Sequence, residues 1–371
     1  MEEMDKMKKI DFFDLTLEEL CGYLKPAFRA KQLTQWVYQR YESDMEQITV
    51  LPKALRSELA DRFDFDRVQI AEKSVSRDGS EKYLLRLADG HTIEAVLLLM
   101  RPEELDEEGE IVHEARHTLC LSTQVGCKVG CAFCLTAKGG FVRNLTAGEI
   151  VAQVWLIKRD HQIRAEKAVN LVYMGMGEPL DNLTNVAKAI QIFTQQEGLS
   201  ISPKRQTVST SGISAKIDRL GELDLGVHLA ISLHAVDNTT REKLIPLNKA
   251  YPIESVIEAV KRFPYDMRKR VMFEYLMIKD LNDSAQAAKA LVKLLEGIKA
   301  KVNLIYFNPY PGSPFGRPTP QSMIAFRDLL HARGVTCTIR ESRGLDIEAA
   351  CGQLRERENG HVPHETTAKE S

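Results

Sequence analysis

Three cysteines, Cys127, Cys131 and Cys134, crowd into the run Gly126-Cys127-Lys128-Val129-Gly130-Cys131-Ala132-Phe133-Cys134. The spacing is C-x3-C-x2-C, and it places three thiols on one glycine-flanked loop. Iron–sulfur clusters normally take four cysteine ligands, and structural zinc sites take four Cys or His ligands. No fourth cysteine follows at a ligand spacing, and the nearest histidines, His113 and His117, lie upstream in an acidic stretch. Three thiolates therefore suit a cluster with one iron left open to a substrate. The bland alternative is inert buried cysteine. Core periodicity, however, does not gather three cysteines so closely between glycines.

The rest of the composition fits an intracellular enzyme. The chain has 371 residues, enough for a large core and more than one structural unit. Seven cysteines are too few for a disulfide scaffold. The start is charged, without an apolar leader segment, and the longest apolar run, Ala95 to Met100, is too short to span a bilayer. A cytoplasmic setting without membrane contact is expected, with the reducing conditions that an oxygen-sensitive cluster needs. Net charge is −2, which excludes a strong global field for polyanions but leaves room for local basic patches.

Four segments are expected along the chain. Residues 1–66 read as a small helical unit. It has a Thr16/Glu19 capping box, a helix over 29–41 with Leu33, Trp36 and Val37 on one face, and a helix over 52–63. Its Lys25, Arg29, Lys31 and Arg40 could contact the phosphates of an RNA, although charge alone reads as a solvated face. Residues 67–117 read as a β-meander connector, with turns at Asp78-Gly79 and Asp89-Gly90, followed by an acidic surface loop. Residues 118–355 alternate strands and helices. Strands are expected over 118–124, 169–174, 206–210, 227–233, 271–276 and 301–307, with helices over 147–159, 183–195, 213–220, 253–262 and 284–298. Such alternation gives a parallel sheet with helices outside, here an α/β partial (β/α)6 barrel. Residues 356–371 read as a disordered tail.

In a barrel of this kind the chemistry sits at the C-terminal strand ends. The cysteine loop falls there, after the first strand. Gly175-Met176-Gly177-Glu178-Pro179 follows the second: its glycines let backbone approach a ligand, and Glu178 can accept from an ammonium group. It is not a dinucleotide fingerprint, because Leu180 stands where the third glycine would be needed. Ser209 ends the third strand, Ser232-Leu233-His234 the fourth and Asn308 the sixth. Taken singly, each reads as a cap or turn residue. Together they suit a polar ligand with several groups to read.

The C-x3-C-x2-C spacing, with Phe133 before the last cysteine, resembles that of radical S-adenosylmethionine (SAM) enzymes. More closely, Cys120-Leu-Ser-Thr-Gln-Val-Gly-Cys127, the Gly-Met-Gly-Glu-Pro loop, Ser-Thr-Ser-Gly at 209–212, Ile-Ser-Leu-His at 231–234, Asn308-Pro-Tyr-Pro-Gly312 and Asp346-Ile-Glu-Ala-Ala-Cys351-Gly-Gln-Leu resemble the RlmN/Cfr family of radical SAM RNA methyltransferases. The similarity spans residues 10–355. The helical N-terminal unit and the Ala-Ala-Cys-Gly-Gln-Leu ending are similar to the RlmN branch.

The resemblance implies a radical SAM barrel, a [4Fe-4S] cluster on Cys127, Cys131 and Cys134, and SAM read by Gly177, Glu178, Ser209, Ser232, Leu233, His234 and Asn308. It implies methylation of an adenine at C2 in 23S rRNA and near the anticodon of tRNA, the Cfr branch instead using C8. Adenine C2 is electrophilic, so direct transfer from a sulfonium fails there. By resemblance two SAM molecules serve each turnover. One methylates Cys351, and the other supplies the 5′-deoxyadenosyl radical that activates that methyl group. Cys120 then releases the RNA by forming a transient disulfide with Cys351, and Cys120 or Glu94 takes the adduct's proton. An electron donor such as flavodoxin and a monomeric state are also implied. For Glu94, strand alternation equally predicts a solvent-facing residue. Two other readings stay open at this point. One is a radical SAM enzyme with a non-RNA target. The other is a non-catalytic iron–sulfur or zinc module that binds RNA.

Overall fold

The computed structural model describes residues 9–164, 166–264, 270–310 and 312–355. The tail expected to be disordered, 356–371, lies outside the described residues. A ten-stranded sheet dominates the molecule. In chain order its strands are β1 (Val68–Val75), β2 (Glu81–Leu87), β3 (Thr92–Arg101), β4 (Arg116–Cys120), β5 (Asn170–Tyr173), β6 (Gln206–Thr210), β7 (His228–Ser232), β8 (Val271–Met277), β9 (Ala300–Tyr306) and β10 (Thr336–Arg340). They lie in that same order across the sheet. Strands β4 to β10 are parallel to one another, whereas β1 to β3 form an antiparallel meander whose β3 pairs antiparallel with β4. The turns after β1 and β2 place Gly79 and Gly90 at positive φ, as tight hairpins demand.

All six expected parallel strands are present, and the sheet continues by one more. Helix α10 (Pro320–His331) leads into β10. The first expected strand stops at Cys120, and Gln124–Gly126 instead pairs antiparallel with Phe141–Asn144. That ribbon brackets the cysteine loop. The acidic stretch is exposed as expected, but it is ordered as a hairpin between Glu104–Leu105 and Ile111–His113.

Helices α1 (Leu17–Tyr23), α2 (Phe28–Arg40) and α3 (Lys53–Arg62) form the N-terminal unit. The Thr16/Glu19 capping box is present, and so is Thr146/Glu149 at the start of α4 (Ala147–Asp160). The N-terminal helices share one continuous hydrophobic core with the barrel. Trp155 of α4 is the hinge pin of that contact: its indole NH donates to the Val37 carbonyl at 2.7 Å, and its ring lies 5.1 Å from Phe13. Truncating so large a buried ring would cost about 3–5 kcal/mol. Lys31 pairs with Glu197 at 2.9 Å, so one of the basic N-terminal residues is already committed. Among the described residues no helix is long and apolar enough to cross a membrane.

Candidate active site

Alternation along each parallel strand sends every second side chain inward. Two cavities result. A small one, about 150 Å³, lies at the C-terminal strand ends, and a larger one, about 790 Å³, continues down the barrel to the N-terminal ends. Barrel enzymes keep their chemistry at the C-terminal face. Here the interior is accessible well beyond it.

All three cysteines of the C-x3-C-x2-C loop line the small cavity. Backbone geometry holds the loop: Gly126 and Gly130 take positive φ, and the Cys127 amide donates to the Gly140 carbonyl at 2.7 Å. A side chain on Gly126 would strike that carbonyl. Val129 and Phe133 pack into a local apolar cluster with Leu244, Ile245 and Tyr310. Burial pushes the Cys127 thiol up to about 12, and Cys131 is likewise raised by burial and then by its neighbouring cysteines. A positively charged iron centre would reverse that by taking the thiolates directly. Among the described residues no three Cys, His, Asp or Glu side chains converge where a single metal ion could sit. Three thiols on one cavity suit a cluster that leaves one iron open.

The other expected residues divide into those that face a cavity and those that support it. Gly177 and Glu178 line the small cavity, and Gly177 takes φ +103 with no room for a Cβ against Gln124. Glu178 is buried and already accepts three hydrogen bonds: from the Ser211 amide (2.7 Å), the Ser211 hydroxyl (2.6 Å) and the Leu180 amide (3.0 Å). It therefore shapes the Ser211 turn as well as the cavity wall. Burial raises its carboxyl, and these donors oppose the rise. Ser209 and Ser232 also line the small cavity.

His234 has φ +58, and its Nδ1 accepts from the Leu276 amide at 3.0 Å. Nδ1 is thus the bare nitrogen, which leaves Nε2–H as the donor. Burial pulls its pKa down to about 3, so the ring is neutral. Leu233 and Asn308 do not line either cavity. The amide of Leu233 donates to the Glu274 carbonyl, and its own carbonyl accepts from Arg241. Asn308 donates to the Ser342 hydroxyl at 2.9 Å and accepts from Arg317 at 2.6 Å.

Cys120 and Cys351, far apart in sequence, meet at the large cavity, and Cys351 also borders the small one. Cys120 is buried, which pushes its thiol up to about 12; the charge of Cys351 adds to the rise and Arg340 opposes it. Cys351 is exposed. Its loop is tied to the cysteine loop: the Leu135 amide donates to Gly352, and the Thr136 hydroxyl donates to the Leu354 carbonyl at 2.5 Å.

Glu94 is buried, which rejects the solvent-facing alternative. It stands on the inward face of β3 with Val96, but lines neither of the two cavities. It pairs with Lys82 at 3.3 Å and accepts from the Arg355 amide at 2.9 Å, holding the far end of the Cys351 loop.

Three participants have no motif in the sequence. Arg241 is fully buried and clamps the Ser211, Ser232 and Leu233 carbonyls while donating to Asn248. Glu274 and Arg340 border both cavities. The signal for Glu274 was present: one carboxylate inside the apolar run Val271-Met-Phe-Glu-Tyr-Leu-Met277.

Comparison with known proteins agrees with this geometry. Residues 121–291 match the family described as the Radical SAM superfamily, and residues 10–64 match the Ribosomal RNA large subunit methyltransferase N-terminal domain. The dual-specificity RNA methyltransferase RlmN of a Nitratiruptor species is 64% identical over 95% of this chain and 99% of its own. That of Aliarcobacter butzleri is 61% identical over 94% of this chain and 97% of its own. The crystal structure of a radical SAM methyltransferase from Sphaerobacter thermophilus superposes with a TM-score of 0.85 at 42% identity, covering 93% of this chain and 99% of that one. Membership of the superfamily carries with it a [4Fe-4S] cluster and SAM, the two groups that the small cavity suits. With both domains matched and near-complete relatives at this identity, the chain belongs to the RlmN family of radical SAM methyltransferases.

Proposed function

We propose that this chain methylates C2 of an adenosine in 23S rRNA and of an adenosine in tRNA, with Cys351 as the methyl carrier and Cys120 as the resolving thiol. The observation that carries the reading is the placement of the two cysteines. Cys351 borders both cavities and Cys120 the large one, so a group loaded on Cys351 from the small cavity faces a substrate in the large one.

Cys127, Cys131 and Cys134 would hold the cluster, and Gly177, Glu178, Ser209, Ser232 and His234 would enclose SAM. Bound there, cluster and SAM supply one-electron cleavage to a 5′-deoxyadenosyl radical. The chain's own residues do the rest. Cys351, as thiolate, takes a methyl group from one SAM by displacement, so two SAM molecules serve each turnover. Once the carbon is joined to C2, the radical adduct gives up one electron, equal to the one taken up in SAM cleavage, and its C2 proton, which goes to Cys120, facing the cavity, or to Glu94. The Cys120 thiolate then attacks the Cys351 sulfur. The Cys120–Cys351 disulfide forms, the carbon–sulfur bond breaks, and the electron pair passes to the former methylene carbon, which takes a proton and becomes the methyl group. An electron donor such as flavodoxin supplies the electron for SAM cleavage, and a separate two-electron dithiol reductant restores both thiols.

The large cavity suits RNA. Its N-terminal mouth carries Arg116, Lys204, Arg205, His228, Arg270 and Lys301. A cationic rim of this kind neutralises phosphates while a single extruded base enters. RNA substrates of these kinds support a cytoplasmic setting, and we take the chain to act as a monomer.

The test is mass spectrometry of nucleosides from unmodified 23S rRNA and tRNA treated anaerobically with reconstituted protein, SAM and reductant. 2-Methyladenosine in both RNAs is expected. 8-Methyladenosine, or 5′-deoxyadenosine without a methylated base, would overturn the reading.

A further inference from the structure

We infer that the free carboxylate oxygen of Glu274 reads the base to be methylated, by accepting a hydrogen bond from its exocyclic amine. This rests on the proposed RNA substrate and adds a specificity-determining residue to it.

Glu274 lies mid-strand in β8, only 4% exposed, on the wall shared by the two cavities. Cross-strand register places Ser232, Glu274, Asn303 and Thr338 in one row over β7 to β10. Along this row the hydrogen bonds run in one direction. The Thr338 hydroxyl donates to Asn303 Oδ1 at 2.7 Å, and Asn303 Nδ2 donates to Glu274 Oε1 at 2.8 Å. Glu274 Oε2 is buried and has no hydrogen-bond partner among the described residues. Leaving a buried carboxylate oxygen unpaired is costly, so natural structures rarely do so without a reason. Here the carboxylate is held through its other oxygen by Asn303, on a side chain that borders both cavities.

The chemistry of the missing partner follows. A carboxylate only accepts, so the partner must be a donor. Adenine presents an amine at C6, whereas guanine presents a carbonyl there and uracil presents one at C4. The same oxygen that attracts the first repels the other two. The two residues that fix Glu274, Asn303 and Thr338, line the large cavity and not the small one. That favours the RNA base over the adenine of SAM as the source of the amine. Burial raises the Glu274 carboxyl, and the Arg340 guanidinium on the same wall acts against that rise.

The experiment uses a short stem-loop RNA carrying adenosine or purine riboside at the target position. Purine riboside keeps C2–H and lacks the amine. Methyl incorporation in direct competition is measured with the reconstituted enzyme, and fluorescence anisotropy measures binding of each RNA. Loss of one hydrogen bond to a charged group predicts a preference for adenosine of about 10- to 100-fold in the wild type. Glu274→Gln keeps an oxygen for Asn303 and turns the free position into an NH₂, so it should erase the preference while SAM binding is unchanged. Asn303→Ala frees the carboxylate to rotate and should reduce the preference, which keeps the test decisive if Glu274→Gln does not fold. Equal use of both RNAs by a wild type that makes 2-methyladenosine would overturn the inference and leave the functional reading standing. So would a Glu274→Gln enzyme that keeps the RNA preference but binds SAM more weakly, which would assign the amine to SAM.

Discussion

The backbone amide of Leu135 donates to the carbonyl of Gly352 at 2.7 Å, fastening the cysteine loop directly to the loop that carries Cys351. Gly352 adopts φ +84, and a Cβ there would stand 3.2 Å from the Phe133 carbonyl. Gly352→Ala should therefore shift Cys351 relative to its neighbours. A left-handed backbone costs an ordinary residue about 1–2 kcal/mol, so methylation should fall about tenfold or more. Visible absorbance of the reconstituted cluster should be unchanged; its loss would mean that the two loops are not separable.

Cys351→Ala should abolish base methylation while leaving cluster assembly intact. Cys120→Ala should still load and couple, and so should trap RNA on Cys351. Denaturing gels under turnover conditions read the crosslink, and a second change of Cys351 in the same chain should remove it.

Acid should destabilise the fold through His234. Its folded pKa is about 3, against an ordinary 6.5. Between those values the unfolded chain binds a proton that the folded chain refuses. The contribution is thus complete above about pH 6.5 and is lost as pH falls towards 3. His234→Gln should flatten this acid limb, read as the thermal midpoint of the metal-free protein at pH 7 and at pH 5. An unchanged pH slope would mean that the buried ring is protonated.

Arg241 donates to carbonyls of three residues that shape the small cavity. Arg241→Met keeps the volume and leaves those acceptors unpaired in the interior. Each buried unpaired acceptor costs roughly 1–3 kcal/mol, so a lower thermal midpoint and weaker SAM binding are expected together. Equilibrium dialysis with SAM separates the two effects, because a purely global loss of stability leaves affinity unchanged well below the midpoint.

Phosphate contacts at the barrel mouth should appear in the salt dependence of RNA binding. Lys301→Ala should weaken binding of all RNAs alike and lower the slope of log K against log salt by about one.

Much of this arrangement could be read from the chain. Alternating apolar runs located six parallel strands, and the cysteine spacing located the cluster loop, because both signals are local. β10 was missed because Thr336-Cys-Thr-Ile-Arg340 mixes polar and apolar residues on a half-open edge. Glu94 could not be placed, since alternation fixes a face but not whether that face is interior. Leu233 and Asn308 sit within motif segments yet support the site from behind, and sequence position cannot tell wall from buttress. Glu274 stood out as one carboxylate in an apolar run, but its partner Asn303 lies on the next strand, and Arg241 carries no local signal that sets it apart from other arginines.

Among the described residues, the two edges of the sheet, β1 and β10, share no ladder of backbone hydrogen bonds. The segment from Gly344 to Cys351 crosses the gap instead. Asp346 accepts from the Ser76 hydroxyl and the Arg77 amide, and the Gly344 amide donates to Asp78. Cys351, the proposed methyl carrier, therefore rides on a clasp held by side chains. Unfastening it breaks a handful of bonds and leaves every strand pair intact, so it can open at a free energy far below that of global unfolding. Amides in this segment should exchange with solvent sooner than those of β7 and β8 beside it. The barrel is thus closed by a fastening rather than a weld, and Cys351 is mounted on it.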